Sequence, residues 1–212
     1  TVFRTSIGDE FYQFVTTQSA TAFNTGSSIQ FNDVTVSEGS YVSSRYTVDT
    51  QNVEQRFLIN DDRADTTTLT IKVQNSATDT GSATYTRATD IAGLTSTSNV
   101  YFLQEVEDGK FEVYFGDGIL GNAVEDGNII IMNYVVTNKG AANGASVFSS
   151  SGAIDTVNSV NVVTVSNSAG GSEPESIESV KYNAPLDYAS QGRCVTTEDY
   201  KTYVRQLFAN TQ

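Results

Sequence analysis

The sequence predicts a β-dominated α+β fold: a small β-sandwich-like unit, then a second β unit, then a helical segment. Three observations carry that expectation. Most of the chain is short runs of β-branched and aromatic residues bounded by Gly, Asn, Asp or Ser, which is how strands and their turns read. Residues 129–136 are apolar at both parities, as in a strand covered on both faces. After Gly171 the apolar spacing lengthens from two residues to three and four, the period of a helix.

Residues 1–75 supply strand patterns at 11–16, 29–36, 41–48, 55–59 and 68–73. In the last, Leu69, Ile71 and Val73 alternate with Thr70 and Lys72, and the polar run 60–65 is the exposed turn before it. We assign 1–75 to the sandwich-like domain. Residues 75–99 are almost wholly Ser, Thr, Ala, Asp and Gly, broken by Tyr85, Ile91 and Leu94. This reads as a linker or sparsely packed excursion, with a boundary near residue 76.

The second β domain, 76–168, opens on the apolar run 100–103 and turns at Asp108-Gly109, a pair that supplies positive φ in hairpins. It returns through Phe111, Val113 and Phe115, which alternate with Glu112 and Tyr114. Gly116, Gly118 and Gly121 follow within six positions, so the chain is expected to fold back tightly before Gly127 and the strand at 129. Ile130, Met132, Tyr134 and Val136 form one side of that strand, and Ile129, Ile131 and Val135 the other. A further strand pattern is read at 159–166.

Residues 169–212 form the helical segment. Ser172-Glu173-Pro174-Glu175 has the form of a capping box with proline in the first turn. Ile177, Val180 and Ala184 mark a narrow stripe, and Pro185 is expected to stop the helix. A second helix is capped by Thr196 or Thr197. It places Tyr200, Tyr203, Val204, Leu207 and Phe208 on one face. With no initiating Met and a last helix close to the end, the chain is expected to be a piece of a longer protein.

Composition removes several functions. With 12 Lys+Arg against 25 Asp+Glu the net charge is −13, which repels nucleic acid and anionic membrane surfaces. No apolar run approaches the roughly 20 residues of a bilayer-spanning helix. There is no histidine, so His-based nucleophile systems and ordinary zinc sites are excluded. Cys194 is the single cysteine, which rules out an intrachain disulfide.

The remaining candidates for chemistry are carboxylates and glycine loops. Asp61, Asp62 and Asp65 invite calcium but lack the spacing and distal Glu of a calcium loop; the same chemistry would suit an alternative, a Thr/Ser-rich β module of an extracellular adhesin binding glycan or protein. Glu105, Glu107, Glu112 and Asp117 crowd one hairpin, as a glycosidase pair would, with no tryptophan for a sugar platform. Gly116-Asp117-Gly118 puts a carboxylate where a phosphate would sit, and at Gly170-Gly171 the anion position is taken by Glu173 and Glu175. No cofactor, metal site or enzymatic activity is expected.

Several motifs in series carry a resemblance. They are Phe115-Gly116-Asp117-Gly118 with Gly121; Asp126-Gly127; the Tyr134 to Gly144 run; Gly170-Gly171 through Glu175 to Pro185; and Gly192-Arg193-Cys194-Val195-Thr196 with Asp199-Tyr200. Together they resemble the baseplate J-like proteins of contractile phage tails, and within them the wedge proteins of T4-like phages, the gene product 6 type. Cys194 stands where that pattern has a small residue such as Ala. Residues 1–99 carry no such motif, and the resemblance implies an internal or C-terminal fragment whose α/β part continues past the Tyr200 helix. The resemblance implies a structural component of the virion, made in the host cytoplasm. It pairs with itself, as a homodimer in the full protein, and with other baseplate wedge proteins. The product is a ring around the tail hub that rearranges on sheath contraction.

Overall fold

The computed structural model describes residues 1–26, 28–154, 157–190 and 193–207. Its contacts divide the chain into Thr1–Gly171 and Ser172–Gln212. The first unit is β apart from two short 3-10 turns, Glu107–Gly109 and Lys139–Ala142, and the second is helical, in keeping with a β-dominated α+β fold.

The larger sheet contains β6 (Ser40–Thr47), β7 (Phe57–Ile59), β8 (Ala64–Gln74), β9 (Ser82–Arg87), β10 (Val100–Glu105), β11 (Phe111–Phe115) and β12 (Ile129–Val136). Its order is β6-β12-β8-β9-β10-β11-β7, antiparallel except where β9 meets β10. The two edges approach each other: Tyr46 on β6 donates its hydroxyl to the Leu58 carbonyl on β7 at 2.7 Å. The Tyr46 ring also meets Phe57 edge-on, centroids 5.8 Å apart. The sheet therefore curls almost into a barrel, protecting edges that would otherwise expose unpaired backbone.

One core fills the interior. Ile59, Leu69, Ile71, Val73, Tyr85, Tyr101, Val113, Ile130, Met132 and Tyr134 are buried together, each at the inward parity of its strand. β12 lies between β6 and β8, with Ile130 and Met132 fully buried and Val135, at the opposite parity, also at 0% exposure. The two-sided covering read from the sequence is present. The β12–β8 register shifts between Asn133 and Val135. Thr68 Oγ1 accepts the Val135 amide there at 3.0 Å, so this donor is satisfied where the ladder is interrupted.

A smaller sheet has the order β13-β1-β2-β5, from β1 (Val2–Ile7), β2 (Glu10–Val15), β5 (Ser37–Glu38) and β13 (Ser149–Ser150). Phe14 packs there with Ala142, Ala145 and Phe148. β3 (Ala22–Asn24) and β4 (Ile29–Phe31) form a separate, exposed hairpin. Gly39 lets the smaller sheet run close to β12: a Cβ there would lie 2.2 Å from the Val136 carbonyl oxygen, and its φ is +124°. No sequence motif had marked this glycine.

Several expectations are corrected. The boundary near residue 76 falls in the β8–β9 hairpin, closed by the Asn75 amide on the Gly81 carbonyl, so strands on either side share one sheet. The sparse stretch 75–99 contains β9, held between two neighbours and contributing Tyr85 to the core. Residues 159–166 have strand composition but no ladder. In the second unit, α1 (Ile177–Ser190) runs through Pro185: proline's fixed φ is itself helical, at the cost of one backbone bond and of crowding against the carbonyl four residues back. Its cap is Ser176, whose Oγ accepts the Ser179 amide at 3.2 Å, four residues after the expected box.

Candidate functional site

The motif-bearing loops are built on the barrel's ends. β11 delivers the chain to Gly116, whose Cα lies against the backbone of Gly121: a Cβ would sit 2.3 Å from the Gly121 carbonyl carbon. The Gly118 amide donates to the Gly121 carbonyl at 3.0 Å, and Gly121 and Asn122 donate to the carbonyls of Thr95 and Ser98. Gly118 and Gly121 take the expected positive φ, whereas Gly116 is required for clearance. Asp117 Oδ1 accepts the amides of Ile119 and Leu120, both at 2.9 Å. The Leu120 amide, then that of Ile119, hold its carboxyl below the usual carboxylate range. The amides a phosphate would use are thus taken by the loop's own side chain, and Ile119 is presented to solvent, 74% exposed.

The Asp126-Gly127 turn is tied to the barrel at Thr50, whose amide donates to Asp126 Oδ1 at 3.1 Å, and at Val48, which accepts from the Gly127 amide. Two further motif pieces meet directly. Asn143 grips Gly171 from both sides, donating to its carbonyl at 2.7 Å and accepting its amide at 3.1 Å. Ser168 accepts the Ala145 amide on its Oγ at 2.8 Å, and its backbone amide donates to the Ala145 carbonyl. Gly171 has no room for a side chain against the Lys139 carbonyl.

The motif residues of the second unit lie around its helix starts. Thr196 and Asp199 form a reciprocal cap to α2 (Thr197–Leu207). The Asp199 amide donates to Thr196 Oγ1 at 3.2 Å, and Asp199 Oδ2 accepts the Thr196 amide at 2.8 Å. The backbone amides of Thr196 and then Val195, both donating to Asp199 Oδ2, keep its carboxyl low. The Glu175 carboxylate accepts the Ser179 hydroxyl and the Asn183 amide, so it serves α1 from outside. Tyr200 is 58% exposed. Arg193 donates its backbone amide to Ser190. Gly192, Phe208 and the Leu207 side chain lie outside the described residues.

Of the carboxylates that invited chemistry, Asp61, Asp65, Glu112 and Asp117 are engaged in structure. Asp61 accepts the Arg63 amide and Asp65 the amide and hydroxyl of Thr67. Among the described residues no group of three potential ligands is placed to hold a metal. Glu112 is buried at 4% exposure; Arg56 grips it with two bonds, Nε to Oε1 at 2.9 Å and Nη2 to Oε2, and Tyr114 donates its hydroxyl at 3.0 Å. This latch fastens the chain entering β7 to β11. Nothing in the sequence links residues 56 positions apart, so the pair was missed.

The Arg56 hydrogen bond lowers the Glu112 pKa, burial opposes it, and the Tyr114 hydroxyl lowers it further. A depressed folded pKa means stability that is present above the unfolded value, about 4.3 for Glu, and is lost as pH falls through the folded one. Glu112→Gln is therefore expected to melt below wild type at pH 7, with the gap narrowing as pH falls beneath about 4. Paired melting curves check this by difference, since other carboxylates titrate in both proteins; a gap independent of pH would remove the latch from the account.

Residues 43–150, just over half of the chain, match the family model described as bacteriophage baseplate wedge protein gp6, third domain. The match runs from within β6 to β13 and so takes in the near-closed barrel. It reaches back into residues 1–99, where no motif had been read. The baseplate wedge protein gp6 of Enterobacteria phage T4 is 30% identical over 140 residues, covering 54% of this chain and 21% of that protein. The chain thus spans about a fifth of the length of its curated relative. On the family match, the chain belongs to the bacteriophage baseplate wedge protein gp6 family and carries its third domain.

Proposed function

We propose that this chain is a structural segment of a contractile-tail baseplate wedge, located in the virion. By protein–protein contacts it helps to build the ring around the tail hub that rearranges when the sheath contracts. The observation that carries the reading is the coincidence of the gp6-family match with a near-closed barrel whose loop carboxylates are spent on the protein's own amides and on Arg56. Such a site has little left to offer a substrate and much to keep loops in fixed positions, so we infer a scaffold and no catalytic role. Membership of the wider baseplate J-like group belongs to the same proposal and rests on the motif series ending at Tyr200.

Self-pairing of the full protein and contacts with other wedge proteins follow from this reading. Docking would use apolar tips such as Ile119-Leu120 and unpaired strand edges, the features a −13 surface leaves for association. The test is solution mass: mixed with the other wedge proteins of its phage, the chain forms a complex of defined stoichiometry.

A further inference from the structure

We propose that residues 159–165 act as a strand that pairs antiparallel with the same segment of a second copy of the chain. This rests on the self-pairing put forward above and names its surface. Five of the seven positions, Val160, Val162, Val163, Thr164 and Val165, are β-branched, a composition suited to strands. Exposure alternates along them: Val160, Val162 and Thr164 are partly buried, while Asn161, Val163 and Val165 are exposed, the two valines at 76% and 80%. That is a strand's period, with one side laid down and the other open.

What a strand needs next is a ladder, and none is present among the described residues. Residues 158–167 make no backbone hydrogen bond with any described residue. Their flanks are fixed, by the paired bonds between Ile154 and Val157 and by Ser168 on Ala142 and Ala145. The segment is held at both ends, and its amides and carbonyls have no backbone partner among the described residues.

Charge selects the occupant. Proteins guard exposed edges with charged residues or proline, yet between Asp155 and Glu173 there is neither. Two molecules of net charge −13 repel over most of their surfaces, and an uncharged run is where a second copy can approach. A basic partner would instead be met by acids, which this run lacks. Pairing about a two-fold axis sets uncharged residues opposite uncharged ones, with self-complementary contacts.

The experiment follows the 212-residue chain by light scattering and amide exchange over rising concentration, with Val163→Pro, Thr164→Pro and Val163→Thr. Neighbouring amides of a strand point to opposite edges, so one proline variant removes a ladder bond whichever edge is used. Dimerisation is expected, with exchange at 159–165 slowing as concentration rises. At least one proline variant should dimerise roughly tenfold more weakly or worse, and Val163→Thr close to wild type. Because Val163 is exposed, unchanged melting should accompany its variants. A dimer whose 159–165 amides stay unprotected, or both proline variants pairing as wild type, overturns the strand while self-pairing stands. A chain that remains monomeric overturns the strand.

Discussion

Gly116→Ala is expected to destabilise the protein by roughly 3 kcal/mol, at the upper end for overpacking. The added Cβ would lie 2.3 and 2.4 Å from the Gly121 carbonyl carbon and oxygen. These are backbone atoms that cannot rotate away, and Gly121 is itself bonded to Gly118 and Thr95. Relief therefore means opening the loop. Gly127→Ala is the control: its φ is +79° but nothing lies within 4 Å, so only the conformational penalty of about 1–2 kcal/mol applies. Urea midpoints at constant m-value measure both; equal losses would show that the close approach at Gly116 does not exist.

Ile130→Ala is expected to cost about 2–5 kcal/mol, the lost burial plus the cavity left behind. Ile130 has 0% exposure and contributes to the same core as Ile71, Met132 and Tyr134. Its strand is paired along both edges, so the surroundings are held by two ladders and collapse little. Ile119→Ala, at a residue 74% exposed on the loop tip, should stay within about 0.5 kcal/mol. Chemical denaturation of the two variants separates them; comparable losses would place Ile130 outside the core.

These effects also mark what the sequence made legible. β11 was readable because one-sided burial imprints itself on alternation, β12 because two-sided burial leaves a continuous apolar run, and Asp108-Gly109 because a tight turn needs positive φ at both positions, as both adopt. β9 was hidden: its Ser82 to Arg87 run has one large apolar residue, and it is a strand because β8 and β10 supply ladders on each side. The run 159–166 is the converse, strand chemistry without a pairing strand among the described residues. Helix ends were legible where the cap is local and reciprocal, as at Thr196 and Asp199. Ser172 and Ser176 offer similar chemistry, so pattern alone did not choose between them.

Of the site, the local part was visible. Asp117 occupying the place of an anion follows from its position between glycines. The Arg56–Glu112 latch, the Asn143 grip on Gly171 and the close approach at Gly39 depend on segments brought together only by folding. The family match to 43–150 likewise follows the barrel, whose strands between 43 and 99 carry no distinctive short motif.

The central claim is that this segment works by assembly. Light scattering of the chain across concentration, alone and with each of the other wedge proteins of its phage, in calcium and in chelator, tests it most directly. The account predicts complexes of fixed stoichiometry that are indifferent to calcium. A chain that stays monomeric, ignores every wedge protein and responds only to calcium would contradict it.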